Sequence, residues 1–594
     1  MKKVSCFKKF QFIEIQACRH WKRARKSTFF PAGAISNRHK IPSLVCFFLI
    51  ASLACLLAVA GPVGANIITV NTTNDEVNDS ADCSLREAVI AANMDAVVDG
   101  CGAGSGADEI VFAPEVIPGM FILAIAGAGE DAAATGDLDI TDDLTISGAG
   151  ASSTIIDADE IDRVFHIIGS VTVHLEGLTI QNGFVTNGLA GGGGGIVIQG
   201  GNLELTNSIV SDNIADFGGG IVNEASVVNI FDCTIARNTA IQSAAGISNR
   251  GGQLQITNST ITGNHIDLPF TEGGGVRNLF GGTVLLVNST ISANSASFGG
   301  GINNDTGSLT IINSTIAGNA ATNSAGGMGI ENGPVELQNT IIANNTAPVV
   351  SPNCGFSGLI TSLGNNLIGD NTGCDITSGP GDIISEPGTV IDPRLGPFTD
   401  DGSPGRGYFP LLPDSPAIDA ANDESCPVTD QIGNSRSDGD SDGTITCDIG
   451  AIEFQAEVIA VQIDIDPHHG LNLIYPRSKG LVWVAVLSES DFDPSQIQIS
   501  TVRFGPDGAT PVRHKIRDIN RDGIGDLLLL FKIRATGIAC GDTEETLTGE
   551  TVDGLRFSGT DSVKTIGCFL IEGRTLTSYL NWELIGNWEL SKGN

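Results

Sequence analysis

Lysine is absent from the chain between Lys40 and Lys479. Eleven of the 32 basic residues stand in the first forty positions, beside a single acid, Glu14. The rest of the chain sets 21 basic residues against 67 acidic ones, a net charge of −46. A surface of that sign excludes binding to nucleic acid or anionic lipid, and it grips a polyanionic glycan only through bridging cations. It favours divalent metal ions. Tryptophan and tyrosine number only four and three, and neither occurs in residues 173–345, so that stretch lacks the usual aromatic platforms for sugars. The tail, 571–594, carries neither an apolar anchor nor a sorting motif.

Residues 44–60 are an almost unbroken apolar run behind the basic segment, followed by small-x-small sites ending at Ala60 and Ala65. This reads as a secretory signal, 1–65, with a long basic n-region and a cut near Ala65. The alternative is an uncleaved anchor, since the run is nearly long enough to span a bilayer. Cys55 has no Leu three residues before it, which excludes a lipoprotein site. Nine cysteines follow, eight of them in sequence-local pairs: Cys83/Cys101, Cys354/Cys374, Cys426/Cys447 and Cys540/Cys568. Such pairs point to an oxidising compartment, hence a secreted or cell-surface protein. The ninth, Cys233, sits in a column of small inward residues and reads as an inert buried thiol.

Residues 173–345 repeat one pattern seven times, anchored at Gly177, Asn207, Asp232, Asn258, Asn288, Asn313 and Asn339. Four and two positions before each anchor the residue is apolar, from Val173/Leu175 to Val335/Leu337; three after it stand Ile180, Val210, Ile235, Ile261, Ile291, Ile316 and Ile342. The buried face thus changes parity at the anchor, which a strand manages only with a bend. Gly, Asn and Asp there specify a left-handed corner. A second polar column runs Gly183, Asn213, Asn238, Asn264, Asn294, Asn319 and Asn345, and a third strand follows each glycine cluster to close on Asn223, Asn249, Asn278, Asn304 and Asn332. Stacked amides bond coil to coil.

Three strands and three turns per coil predict an all-β fold, a right-handed parallel β-helix of the pectate-lyase-like kind. A leucine-rich repeat has a similar period but needs a helix or extended turn where these glycine clusters lead into β-branched residues. The organisation expected is a signal at 1–65, an N-terminal cap at 66–115, the β-helix at 116–350, a C-terminal cap at 351–456, a β-sandwich at 457–570 and a tail. In the N-terminal cap, Ser84 and Glu87 form a capping box, and Leu85, Ala88, Val89 and Ala92 give a helix one apolar face with which to cover the first coil.

CSLREAVIAAN, residues 83–93, resembles the CSLREA segment that opens secreted bacterial β-helix proteins; the match implies export and fold, not chemistry. The Gly-Gly-Gly-Ile clusters and the tetrads Ile261/Asn264, Ile291/Asn294 and Ile316/Asn319 resemble repeats of polymorphic outer-membrane proteins, with Ile where that family usually has Phe. That likeness implies a surface-displayed, adhesin-like passenger, although no stretch here resembles the family's C-terminal membrane barrel. Residues 364–454, with GNNLIGDNTGC, DPRLGPF, PLLPDSPAIDA and CDIGAIEF, resemble the choice-of-anchor Q region that follows such helices.

The strongest metal motif is DINRDGIGD, residues 518–526. Oxygens of Asp518, Asn520, Asp522, the Ile524 carbonyl and Asp526, with Gly523 at the sharp turn, match the first nine positions of an EF-hand loop. Position twelve is Leu529 rather than Glu, and strands flank the loop, so it resembles the calcium loops of dockerin-like or integrin-like repeats. Calcium is the cofactor expected. A weaker candidate is the run Asp438, Asp440, Asp442 and Gly443.

Catalysis finds little support. Lyases on this fold abstract a proton with Arg or Lys, and the repeats offer only Arg237, Arg250 and Arg277, read as solvated charges. His174 and His265 are isolated, Asp142 and Asp143 point to opposite faces, and paired-Asp, Gly-His-Gly and Arg-Ile-Lys hydrolase elements are absent. Phe217, Phe270, Phe280 and Phe298 read as turn packing. The Asn-Ser-Thr triplets at Asn258, Asn288 and Asn313 fall on the anchors, which gives them a structural role. The function expected is an adhesin-like or structural binding protein whose partner is an extracellular glycan or surface protein. The alternative is a calcium-dependent lyase or epimerase on acidic glycans, favoured if Asp side chains converge on one coil face.

Overall fold

The computed structural model describes residues 66–568 apart from 128, 187–191, 267, 349–350, 357, 387, 438–443, 456–457, 468–469, 490–491 and 553–554. Residues 1–65 and 571–594, read from sequence as a signal and a tail, lie outside the described residues.

The repeats stack as expected. Three parallel sheets run through the coils, of twelve, eleven and nine strands, and each strand pairs with its equivalent one coil away. In the first sheet Leu203, Val228, Leu254, Val284, Leu309 and Val335 fall into one register, all 3 % exposed or less. Burying each such side chain contributes roughly 1.5–3 kcal/mol. All seven anchors have positive φ, from +45° at Asn313 to +67° at Gly177, and so turn the first sheet into the second. The fold is a parallel β-helix.

Two details differ from the sequence reading. A short fourth strand precedes several glycine clusters, as in Ile214–Phe217 and Thr239–Ser243, because the corner after the second asparagine column opens into an extended stretch before the glycines. The third asparagine ladder also ends one rung early. Asn223, Asn249, Asn278 and Asn304 bond in series at 2.8 Å, but Ile330 takes the next register position, and Asn332 offers Asn304 only its backbone carbonyl, at 3.3 Å.

Helix α1, Leu85–Met94, has the reciprocal Ser84/Glu87 capping box. Leu85, Ala88, Val89 and Ala92 join the core of the coils, and Asn93 bonds Asp139 O and Thr141 N at the edge of the third sheet. An open strand edge would otherwise recruit another chain. Arg86, fully buried, pairs with Asp75 at 2.6 Å and donates to Ala133 O, Gly136 O and Asp137 O, which locks the helix to the first coil.

Strands continue past residue 350 to Ile383–Ile384. The chain then runs back along the flank of the second sheet. Thr234, Thr260, Thr290 and Thr315 point out of that sheet and meet Gly405, Gly407, Gln431 and Ala451. The anchors bind the same strap: Asn288 donates to Thr429 O, Asn339 to Asn422 O, and Asn313 to Cys426 Sγ. A segment read as an end cap is thus mostly a lateral strap, because the threonine column offers side-chain oxygens where a bare strand face would offer none.

The last region is a sandwich of two four-stranded sheets around Ile465, Val484, Phe504, Phe531, Leu547 and Phe557. All four cysteine pairs close as disulfides, and Cys233 is a free buried thiol.

Candidate functional site

The calcium-type loop joins two antiparallel strands of the sandwich, Arg513–Arg517 and Asp526–Lys532. Asp518 accepts from Arg521 N at 2.6 Å and Gly523 N at 3.1 Å, Asp522 from Ile524 N at 2.7 Å, and Asn520 from Asp522 N at 3.1 Å. Gly523 has φ +92°, the conformation the motif asks of it. Asp526 is fully buried, its two oxygens held by Ser488 N and Ile519 N, so it anchors the loop to the sandwich. The donor types on this loop, carboxylate, amide and carbonyl oxygens, are those a hard divalent cation takes, while here its carboxylates accept from backbone N–H groups and Asp522 also from Asn520 Nδ2 at 2.8 Å. Asp438, Asp440 and Asp442 lie outside the described residues.

A second constellation lies on the outward face of the third sheet. Alternation fixes it: Ile247, Val276 and Ile302 point into the core, Asn249, Asn278 and Asn304 form the inner ladder, and the residues between face out. Register places Asp139, His166, Val197, Val222, Ser248, Arg277, Asn303 and Gly329 in one outward column. At the strand ends a parallel column holds Gln199, Glu224, Arg250 and then the buried Leu279, and Asp305 and Glu331 follow one residue past Asn304 and Ile330.

Charges meet along this strip. Arg250 lies 3.4 Å from Glu224, and its guanidinium stacks 4.7 Å from the Phe217 ring centroid. Arg277 pairs with Glu272, lies 3.7 Å from Asp305 and donates to Ser243 Oγ at 2.6 Å. Its side chain is only 18 % exposed. Glu331 is raised above the usual carboxylate range by burial first and then by the charges of Glu272 and Asp305, partly offset by Asn303 and Arg277. Asn303 is fully buried beside this group, and its side chain hydrogen-bonds Glu331, which favours that carboxylate's charge.

At the far end of the strip Asp139, fully buried, accepts from Ala133 N at 2.9 Å and lies 3.1 Å from His166 Nδ1. Ligand atoms of Asp131, Asp139 and His166 lie within 4.8 Å of one another. Asp137 is pushed up to about 7, by burial first and then by Asp139, with Arg163 opposing; burial raises Asp162 as well.

Arg250 and Arg277, read from sequence as solvated charges, stand on one face of adjacent coils and pair with Glu224 and with Glu272 and Asp305. Arg237 does solvate an acidic neighbour, 2.7 Å from Asp212, and His174 is a surface residue near Glu204. Two phenylalanines also depart from turn packing: Phe270 is 80 % and Phe280 74 % exposed. The signal available in sequence was the alternate residue of each third strand, but its value depends on which coils stack. No protein-family model, curated protein or solved structure matches the chain. Fold and site together define a parallel β-helix with a charged outer strip and a C-terminal sandwich.

Proposed function

We propose that the protein is an exported, adhesin-like β-helix that binds an extracellular glycan along the outer face of its third sheet, with calcium bracing the sandwich. The observation that carries this is the convergence of Glu224, Arg250, Glu272, Arg277, Asp305 and Glu331 on one face. Titratable groups held half-buried against one another mark functional sites more often than chance. Export accords with the leader and the four disulfides, and the CSLREA and choice-of-anchor Q likenesses suit a secreted surface protein. Asp518, Asn520, Asp522, the Ile524 carbonyl and Asp526 would hold calcium, and Asp438, Asp440 and Asp442 are a weaker second set.

A second reading, a calcium-dependent lyase or epimerase on acidic glycans, draws on Asp131, Asp137, Asp139 and Asp162 around His166. One experiment separates the two. The exported chain is incubated with neutral, amine-bearing and acidic polysaccharides, with calcium or chelator, and retention and product masses are measured. Retention without new masses is expected; unsaturated or epimerised products would replace the binding reading with the enzymatic one, and neither retention nor products would sink both.

A further inference from the structure

The C-terminal sandwich keeps one sheet edge open. One of its two sheets ends in the strand Arg513–Arg517, which pairs on one side with Asp526–Lys532 and, among the described residues, has no bridge on the other. All five of its residues are exposed. His514 and Ile516 stand opposite Leu529 and Leu527, both in the sandwich core, and so point to the core side. Ile516 is nevertheless 53 % exposed and Val512, just before the strand, 44 %, so the facing sheet leaves this strand uncovered. Alternation puts Arg513, Lys515 and Arg517 on the other face, where the Lys515 ammonium lies 4.6 Å from the Trp483 ring centroid.

The charge of this edge runs against the rest of the molecule. All five arginines of residues 66–393 lie within 4.0 Å of a carboxylate. Among the described residues, Arg513, Lys515, Arg517 and Arg521 lie that close to none. Unpaired cations gathered on one open edge of so acidic a chain mark a place where an anion arrives from outside. Charge on an edge strand is also a guard against pairing with an identical edge. Here its sign repels the same strand of a second copy and admits an acidic one.

We infer that this edge docks an extended acidic segment of another protein, one that alternates carboxylate and apolar side chains and joins the sheet as an added strand. Strand addition gives backbone hydrogen bonds to the row of N–H and C=O groups that an edge leaves open. Alternation sets the ligand's carboxylates beside Arg513, Lys515 and Arg517 and its apolar side chains beside Ile516. The strand spans roughly 17 Å, so about five to seven ligand residues cover it. An acidic glycan would meet the cations but leave the backbone groups and Ile516 unused. The edge shares no residue with the third-sheet strip, so this docking does not depend on the glycan-binding reading.

The test uses residues 66–594 with the four disulfides closed and the fluorescence anisotropy of a labelled Glu-Val alternating decapeptide. Its controls are the same peptide with every backbone nitrogen methylated, a Lys-Val counterpart, and oligogalacturonate as competitor. The Glu-Val peptide should bind, and methylation or the exchange of Glu for Lys should each weaken binding about tenfold or more. Arg513→Glu combined with Arg517→Glu should weaken it by at least about tenfold and leave the melting temperature unchanged, since both side chains are exposed and neither has an ion-pair partner to lose. Failure of the Glu-Val peptide to bind overturns the inference. Equal binding of the methylated peptide, or displacement by oligogalacturonate at the same concentration as by unlabelled peptide, also overturns it, because the edge is then only a cationic patch. Self-association of the chain that the double variant abolishes overturns it too, because a second copy is then the occupant.

Discussion

Asn264 shows what a single residue does in this fold. Its Nδ2 donates to Ile235 O and to Asn294 Oδ1, both at 2.9 Å, and its Oδ1 accepts from Asn238 N and Nδ2 at 3.0 Å. Asn264→Ala strands the buried Ile235 carbonyl and the buried Asn238 N–H, both on the preceding coil, a loss of about 3 kcal/mol, checked by urea unfolding. Cys233 sits in the adjoining ladder, where Ser208 N reaches its sulfur at 3.4 Å and its own N–H reaches Ser259 Oγ at 3.1 Å. Burial pushes the thiol up to about 12. In residues 66–594 expressed alone with the four disulfides closed it should react with a thiol reagent only after unfolding, one equivalent per chain, and Cys233→Ser should change stability by no more than about 1 kcal/mol. The repeating columns were legible in sequence because each position has one environment in every coil. The burial of Asn303 on the outer side of the third sheet was not legible, since it reads like any other asparagine of a third strand.

At the scale of elements, the calcium-type hairpin and the flank strap carry separate predictions. With calcium about a hundredfold above a Kd near 10⁻⁴ M, the folded sandwich should gain about 2.7 kcal/mol, and Asp522→Ala should remove most of that gain in a calorimetric melt. The strap hangs on Gln431, 4 % exposed, whose amide donates to Gly405 O, Gly407 O and Thr260 Oγ1 while its carbonyl accepts from Thr290. Gln431→Leu leaves two buried carbonyls without that donor. Limited proteolysis should then cut within residues 392–454 while the stacked coils stay intact. The hairpin was readable because its ligands are consecutive in sequence. The strap was read as an end cap because its partners lie up to 171 positions away, as in Gly405 N to Thr234 Oγ1.

For the whole molecule, two buried carboxylates set a pH dependence. Asp137 and Asp448 are 5 % and 0 % exposed, and burial pushes each up to about 7. Raised values mean that the folded state holds these protons more tightly than the unfolded one. Their contribution is complete below about pH 4 and is lost as pH rises through 7, on the order of 4 kcal/mol at most for each. The melting temperature should therefore fall from pH 5 to pH 8, and Asp448→Asn should flatten part of the fall. Sequence by itself determined the solenoid, its left-handed corners, its amide ladders, the capping box and the calcium-type loop, because each rests on local conformation or a fixed period. Only the tertiary structure decided that Glu224, Arg250, Glu272, Arg277, Asp305 and Glu331 share one face and that Phe270 and Phe280 stand exposed. Stacking brings together residues a whole coil apart in sequence, and no local propensity of the chain encodes that distance.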